Sequence, residues 1–223
     1  MSERKRVDDA RGYRMRKRAD DIAKTRQRII EAAVRLHGTI GPAATTTSAL
    51  AEEAGVTRLT VNRHFPEGRA LFSACSAHWA ASQVLPNPDA WKAVDDPQQR
   101  LRIGLTDIYR FYRDAEPMLT NVRRDRAALP AEIRDRTSAT DGRHRDVLLQ
   151  PFAARGSLRR QLCAILGHAV SFWTWRSLCL DQGLSDREAV EAMTSLVTAL
   201  AGPAHRTPTP ARARPQPMGM DVP

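Results

Sequence analysis

The stretch Thr45-Thr46-Thr47-Ser48-Ala49-Leu50-Ala51-Glu52-Glu53-Ala54-Gly55-Val56-Thr57-Arg58-Leu59-Thr60-Val61-Asn62-Arg63-His64-Phe65 decides how the rest of the chain is read. It predicts two short helices joined at a glycine. The Thr46 hydroxyl can accept an N–H left unpaired in the opening turn of the first helix. Leu50, Ala51 and Ala54 make its buried stripe, and Gly55 supplies the positive φ that ends it. Thr57 caps the second helix, and Val61 and Phe65, four apart, turn inward. Arg58, Leu59, Thr60, Asn62, Arg63 and His64 are left facing out. Two cations, small polar groups and one apolar contact suit the edges of bases in the major groove of DNA. The corner itself has the geometry of a helix-turn-helix. A plain helical hairpin with a solvated basic face gives the same pattern, so the flanking chain must decide between them.

Outward from this corner, Asp21 to Gly38 predicts a first helix with Ile22, Ile29, Ile30, Ala33 and Val34 at helical period, stopped by Gly41-Pro42. Before it, residues 1–20 carry Arg4, Lys5, Arg6, Arg11, Arg14, Arg16, Lys17 and Arg18. So few apolar residues accompany them that a disordered basic arm is expected, able to neutralise phosphates or enter a minor groove. After Phe65 and Pro66, residues 67–85 predict a fourth helix with Leu71, Phe72, Cys75 and Trp79 on one side. Pro86-Asn87-Pro88 marks a boundary.

The remainder stays helical. Residues 97–115 place Leu101, Leu105, Ile108, Phe111 and Tyr112 on one face. Helices are also expected over 117–125, over 130–154 with a kink or interruption near Asp141-Gly142 and Pro151, and over 158–181 as one strongly apolar element. The last runs to Ala201 from a capping box at Ser185-Asp186-Arg187-Glu188. From residue 203 to 223, six prolines and three arginines predict a disordered tail. The expected organisation is therefore an arm (1–20), a helix-turn-helix domain (21–85), a helical domain (86–202) and a tail (203–223).

Bulk properties agree. The chain has 223 residues, a net charge of +10 and only 5% aromatics, favouring an all-α protein with an anionic partner. Residues 1–78 hold +6 of that charge, beside the proposed reading head. Cys75, Cys163 and Cys179 are odd in number and widely spaced, so no disulfide framework is implied and a reducing compartment fits. No signal peptide or membrane span is expected. Cys75-x-x-His78 and Cys163-x4-His168 lack the second ligand pair of a structural zinc site. No nucleophile–base arrangement is evident, so neither an enzyme, a metal nor a cofactor is expected.

The N-terminal region resembles the tetracycline-repressor (TetR) family of bacterial regulators. The resemblance rests on Arg26-Gln27-Arg28-Ile29-Ile30-Glu31-Ala32-Ala33, Gly41, Thr45-Thr46, Leu50-Ala51, Ala54-Gly55-Val56-Thr57, Thr60-Val61, His64-Phe65 and Ala70-Leu71. It implies a cytoplasmic, nucleoid-associated homodimer on double-stranded DNA, expected to be a repressor released from a palindromic operator by a small-molecule effector. It further implies that Arg58, Leu59, Thr60 and Asn62 face bases and that Thr46, Thr47, Arg63 and His64 meet the DNA backbone. Three departures stand out. Asn62 replaces a usual aromatic, Leu59 replaces a small residue, and Gly68 replaces a phosphate-gripping Lys, a role left to Arg69.

In the second half, Phe111, Tyr112, Met118, Phe172 and Trp175 are candidates to line an effector pocket, with Arg123 or His168 as polar anchors. Leu162, Leu166, Ala169, Trp173, Leu196, Val197 and Leu200 recur at the spacing of a four-helix dimer interface. The alternative is a DNA-binding dimer with no small-molecule input, its C-terminal domain serving dimerisation or a protein partner.

Overall fold

A computed structural model describes residues 3–202, with side chains from Gly12 onward. The expected Pro/Arg-rich tail, 203–223, lies outside the described residues. Among those described, the regular structure is all helical: α1 (Glu3–Thr39), α2 (Thr47–Ala54), α3 (Arg58–His64), α4 (Gly68–Ala81), α5 (Pro88–Trp91), α6 (Pro97–Asp114), α7 (Glu116–Arg124), α8 (Ala131–Leu149), α9 (Gly156–Ala169), α10 (Phe172–Arg176) and α11 (Asp186–Ala201). A 3-10 turn follows α7 and a π-helical turn, Ser177–Asp181, follows α10. No helix among them is long and apolar enough to cross a membrane.

Three expectations need correction. The arm is not irregular: α1 begins at Glu3, well before the predicted start at Asp21. Arg, Lys, Ala and Met are good helix formers and no proline interrupts 1–39, so a helix nucleated on its packed C-terminal half propagates outward. Residues 13–24 are nevertheless exposed, so the charge pattern signalled missing packing and not missing helix. Second, the apolar run 158–181 is not one helix. The chain leaves the helix at Val170, Ser171 is extended, and α10 restarts at Phe172. The hydroxyls of Tyr109 and Tyr112 donate to the carbonyls of Ala169 and Val170 at 2.8 and 2.7 Å, stabilising the break from α6. Third, α8 passes Asp141-Gly142 without interruption, whereas the break expected at Pro151 is present, the helix ending at Leu149.

Two apolar cores result. The N-terminal core joins Ile29, Ile30 and Ala33 of α1 to Leu50, Ala51, Ala54, Val61, Phe65, Leu71 and Cys75. The larger core is centred on α6, whose Leu101, Leu105, Ile108 and Tyr109 are entirely buried against Leu148, Leu162, Leu166, Phe172 and Val197. Of the residues expected at a dimer interface, Leu162, Leu166, Ala169 and Val197 are thus consumed within the subunit. Leu200 is half-buried, while Trp173 and Leu196 remain exposed on α10 and α11. Helical spacing alone could not separate the inward stripe of a helix from its outward one.

Candidate nucleic-acid interface

The helix-turn-helix forms for local reasons. Thr46 Oγ1 accepts from the Ala49 N–H and Thr57 Oγ1 from the Thr60 N–H, each at 3.1 Å. Gly55 sits at φ 62°, where its N–H closes α2 on Ala51 and Glu52. A side chain there would also crowd Arg28. Val61 and Phe65 are buried, so the opposite face of α3 must point outward.

On that face Arg58, Leu59, Asn62 and Arg63 are exposed, Leu59 at 78%. Arg58, Asn62 and Arg63 make no hydrogen bond or ion pair within the described residues, so two charges and an amide are available to an outside partner. Thr60 is half-buried, its hydroxyl sharing a 2.9 Å hydrogen bond with Thr57. Thr46 and Thr47 stand at the start of α2, Thr46 with its oxygen committed to capping. His64 is partly buried, and desolvation, then Arg63, then Arg26, hold its pKa below the usual histidine value. Arg69 is exposed at the start of α4, but its Nε donates to Glu67 at 2.6 Å, so a carboxylate already attends it.

Three arginines of α1 hold this unit together. Arg26 donates to the His64 carbonyl at 3.1 Å and lies 4.1 Å over the Phe65 ring. Arg28 donates to the carbonyls of Ala54 and Gly55, capping the end of α2, the Gly55 bond being 2.9 Å. Arg35 pairs with Glu53 at 2.5 Å. Their charges are therefore partly spent on bracing α2 and α3 against α1. The partners lie 18 to 38 residues away, which no local pattern reveals.

A cavity of about 500 Å³ lies where α1, α4, α6, α7 and α8 meet. Phe111, Tyr112, Met118 and Arg123 line it. Of the other expected pocket residues, Phe172 and Trp175 are fully buried in the α6-centred core and do not reach it. His168 is exposed and hydrogen-bonds Thr174 at 3.2 Å, outside the cavity. Sequence reasoning missed three of its polar groups. His37 stacks on Phe72 at 5.0 Å and meets Cys75 Sγ at 3.7 Å, and burial pushes its pKa down to about 4. His144 is buried beside Trp91, with a pKa lowered by the same cause. Asp141 binds both terminal nitrogens of Arg123, at 2.9 and 3.1 Å. His78, the other half of the Cys-x-x-His pair, instead faces Gln27.

One helix touches both regions. Met118, Leu119, Val122 and Arg123 of α7 line the cavity. The other side of α7 and the residue after it grip the end of α1 and the turn before α2: Asn121 Nδ2 donates to the Gly38 carbonyl at 2.9 Å, Arg124 to Ile40 at 3.1 Å, and Asp125 accepts from the Ala43 N–H at 3.0 Å. Gly41, at φ 92°, lies directly against Arg124 and Asp125, with no room for a Cβ.

Comparison with known proteins bears on this arrangement. Residues 29–75 match the family model described as bacterial regulatory proteins, tetR family. No curated protein sequence matches the chain. Among solved structures, the fold is similar to the crystal structure of the TetR family transcriptional regulator PfmR from Thermus thermophilus. The TM-score is 0.54 at 21% identity, covering 76% of this chain and 96% of that one. The helix-turn-helix of this chain thus matches the tetR family model, on an all-α fold similar to that of a TetR family regulator.

Proposed function

We propose that the chain is a dimeric, sequence-specific transcriptional repressor that a small molecule releases from a palindromic operator in the bacterial cytoplasm. The observation that carries the reading is the outward face of α3, where Arg58, Asn62 and Arg63 stand exposed and unpartnered among the described residues on a helix braced from behind. In this reading residues 21–85 form the DNA-binding unit and 86–202 the effector-binding and dimerisation unit. Arg58, Leu59, Thr60 and Asn62 face bases. Arginine bidentate to guanine and asparagine bidentate to adenine are the pairings their geometry favours. Thr46, Thr47, Arg63 and His64 meet phosphates, joined by Arg69 once Glu67 lets it go.

Effector input reaches the reading head through α7, since a guest that displaces Met118, Val122 or Arg123 also moves Asn121, Arg124 and Asp125. An effector shifts the equilibrium only by its differential affinity for the two conformations. Footprinting on the DNA flanking the gene tests the central claim. Protection of an inverted repeat that survives moderate salt is expected. Binding that shows no sequence preference overturns it.

A further inference from the structure

We propose that the cavity takes an uncharged, flat aromatic molecule that offers an oxygen acceptor to Arg123 and a hydroxyl or carbonyl group to His144. The inference rests on the effector reading of the cavity and adds the chemistry of its occupant.

Shape sets the first condition. One wall is aromatic, with Phe111 6.2 Å from Trp79 and 6.0 Å from Tyr112 between ring centres. Met118, Leu119 and Val122 continue it as aliphatic surface. About 500 Å³ holds a molecule of drug size. Apolar rings bury well against such a wall and stack in offset or tilted fashion.

Charge sets the second. Arg123 is the mostly buried cation of the wall, and both its terminal nitrogens are taken by both oxygens of Asp141. An anion entering here finds that cation already neutralised and a carboxylate beside it. A cation finds both carboxylate oxygens occupied. Arg136 and Arg143 also border the cavity, but both are exposed, and Arg143 is paired with Asp89 at 2.9 Å. Their heads lie in water, where salt screens them. A buried ion without its own partner is strongly disfavoured, so the guest is neutral.

Unsatisfied polar atoms set the third. The Nε of Arg123 and the Nδ1 of His144 are both buried and have no hydrogen-bond partner. His144 is 7% exposed, so water outside does not serve it. Native interiors rarely leave such atoms unpaired, and a guest toward which these two cavity-lining side chains turn gains their desolvation cost back. Arg123 Nε–H can only donate, which calls for an oxygen acceptor. The neutral imidazole of His144 carries one donor and one acceptor nitrogen, which suits a hydroxyl or a carbonyl. Thr137 and Thr140 already donate to the Ile133 and Arg136 carbonyls at 3.0 Å, leaving oxygen lone pairs for a guest hydroxyl.

The test uses the full chain and three probes on a common ring framework: neutral 1-hydroxyanthraquinone, anionic anthracene-9-carboxylate and cationic anthracen-9-ylmethylammonium. Calorimetry is expected to rank the neutral probe at least about tenfold tighter than either ion. Arg123→Lys keeps a charge opposite Asp141 and removes the Nε donor, so neutral-probe affinity falls about tenfold. Asp141→Asn frees the guanidinium, and the anionic probe then gains about tenfold on the neutral one. Equal or tighter binding of either ion by the unaltered protein overturns the proposal. So does the absence of binding by all three, or an Arg123→Lys variant that binds the neutral probe unchanged. The ranking on unaltered protein stands even if both variants fail to fold. If the ranking holds while the neutral probe leaves operator retention in a gel unchanged, the ligand chemistry survives and the effector reading fails.

Discussion

Replacing Asn121 by alanine tests whether α7 joins the cavity to the reading head. Asn121 is buried, and its amide donates to the Gly38 carbonyl at 2.9 Å, near the end of α1. The truncation removes one net hydrogen bond, worth roughly 0.5–1.5 kcal/mol, and leaves a carbonyl whose desolvation is no longer offset. The expected loss is therefore about 1–3 kcal/mol of unfolding free energy, or about fivefold to 150-fold in the folding equilibrium. Urea denaturation followed by circular dichroism measures it, as a shift of midpoint at unchanged slope. A second readout is specific to the junction. With α7 held to this junction only by Arg124 and Asp125, an effector's influence on operator affinity should shrink, while its own affinity for the cavity changes little. The reasoning is refuted if Asn121→Ala costs under about 0.5 kcal/mol, a change typical of surface positions. It is equally refuted if stability falls and the coupling between effector and operator is untouched.

Gly41→Ala should destabilise the same junction, because positive φ and the packed Arg124 and Asp125 side chains both oppose a Cβ; thermal unfolding checks it. His37 makes stability depend on pH. Its folded pKa, about 4, lies below the unfolded value of 6.5, so the unfolded chain binds a proton first and stability falls as pH drops from 6.5 towards 4. The full difference amounts to about 3 kcal/mol, and His37→Gln should flatten that part of the pH profile in denaturant titrations. Arg58→Ala and Asn62→Ala should each lose about 1–3 kcal/mol of discrimination at one base position, read by gel shift across single-base operator variants. Changing Arg14, Arg16, Lys17 and Arg18 to glutamine should instead weaken all sequences alike, reducing the slope of log affinity against log salt by about 0.9 for each phosphate no longer neutralised.

Much of the helix-turn-helix half was legible because its determinants are local. Thr46, Gly55 and Thr57 act on atoms three or four positions away, and Val61 with Phe65 fixes which face of α3 looks out. The supports of that face were not legible, since Arg26 and Arg28 reach partners far along the chain and read as ordinary solvated charges. The same limit governs the second half. Phe111, Tyr112, Met118 and Arg123 lie along the cavity, but Phe172 and Trp175, equally aromatic, fill the core beneath it. The tyrosine hydroxyls of α6 that hold the carbonyls at the break before α10 lie 58 and 60 residues away. An apolar stripe reports that a face is covered, not what covers it.

The unbroken course of α1 from Glu3 to Thr39 turns the basic segment into the outer end of a shaft about 55 Å long. Its inner end is clamped by the core residues Ile29, Ile30 and Ala33, so the compass bearing of Arg14, Arg16, Lys17 and Arg18 is set by helical phase relative to α3. Inserting a single alanine after Lys24 would advance the outer shaft by about 1.5 Å and swing it through about 100°. Inserting four would push it out by about 6 Å yet return it to within about 40° of its first bearing. Operator affinity that dips with one added residue and recovers with four would show a rigid outrigger at work, whereas a flexible tether would be indifferent to the count.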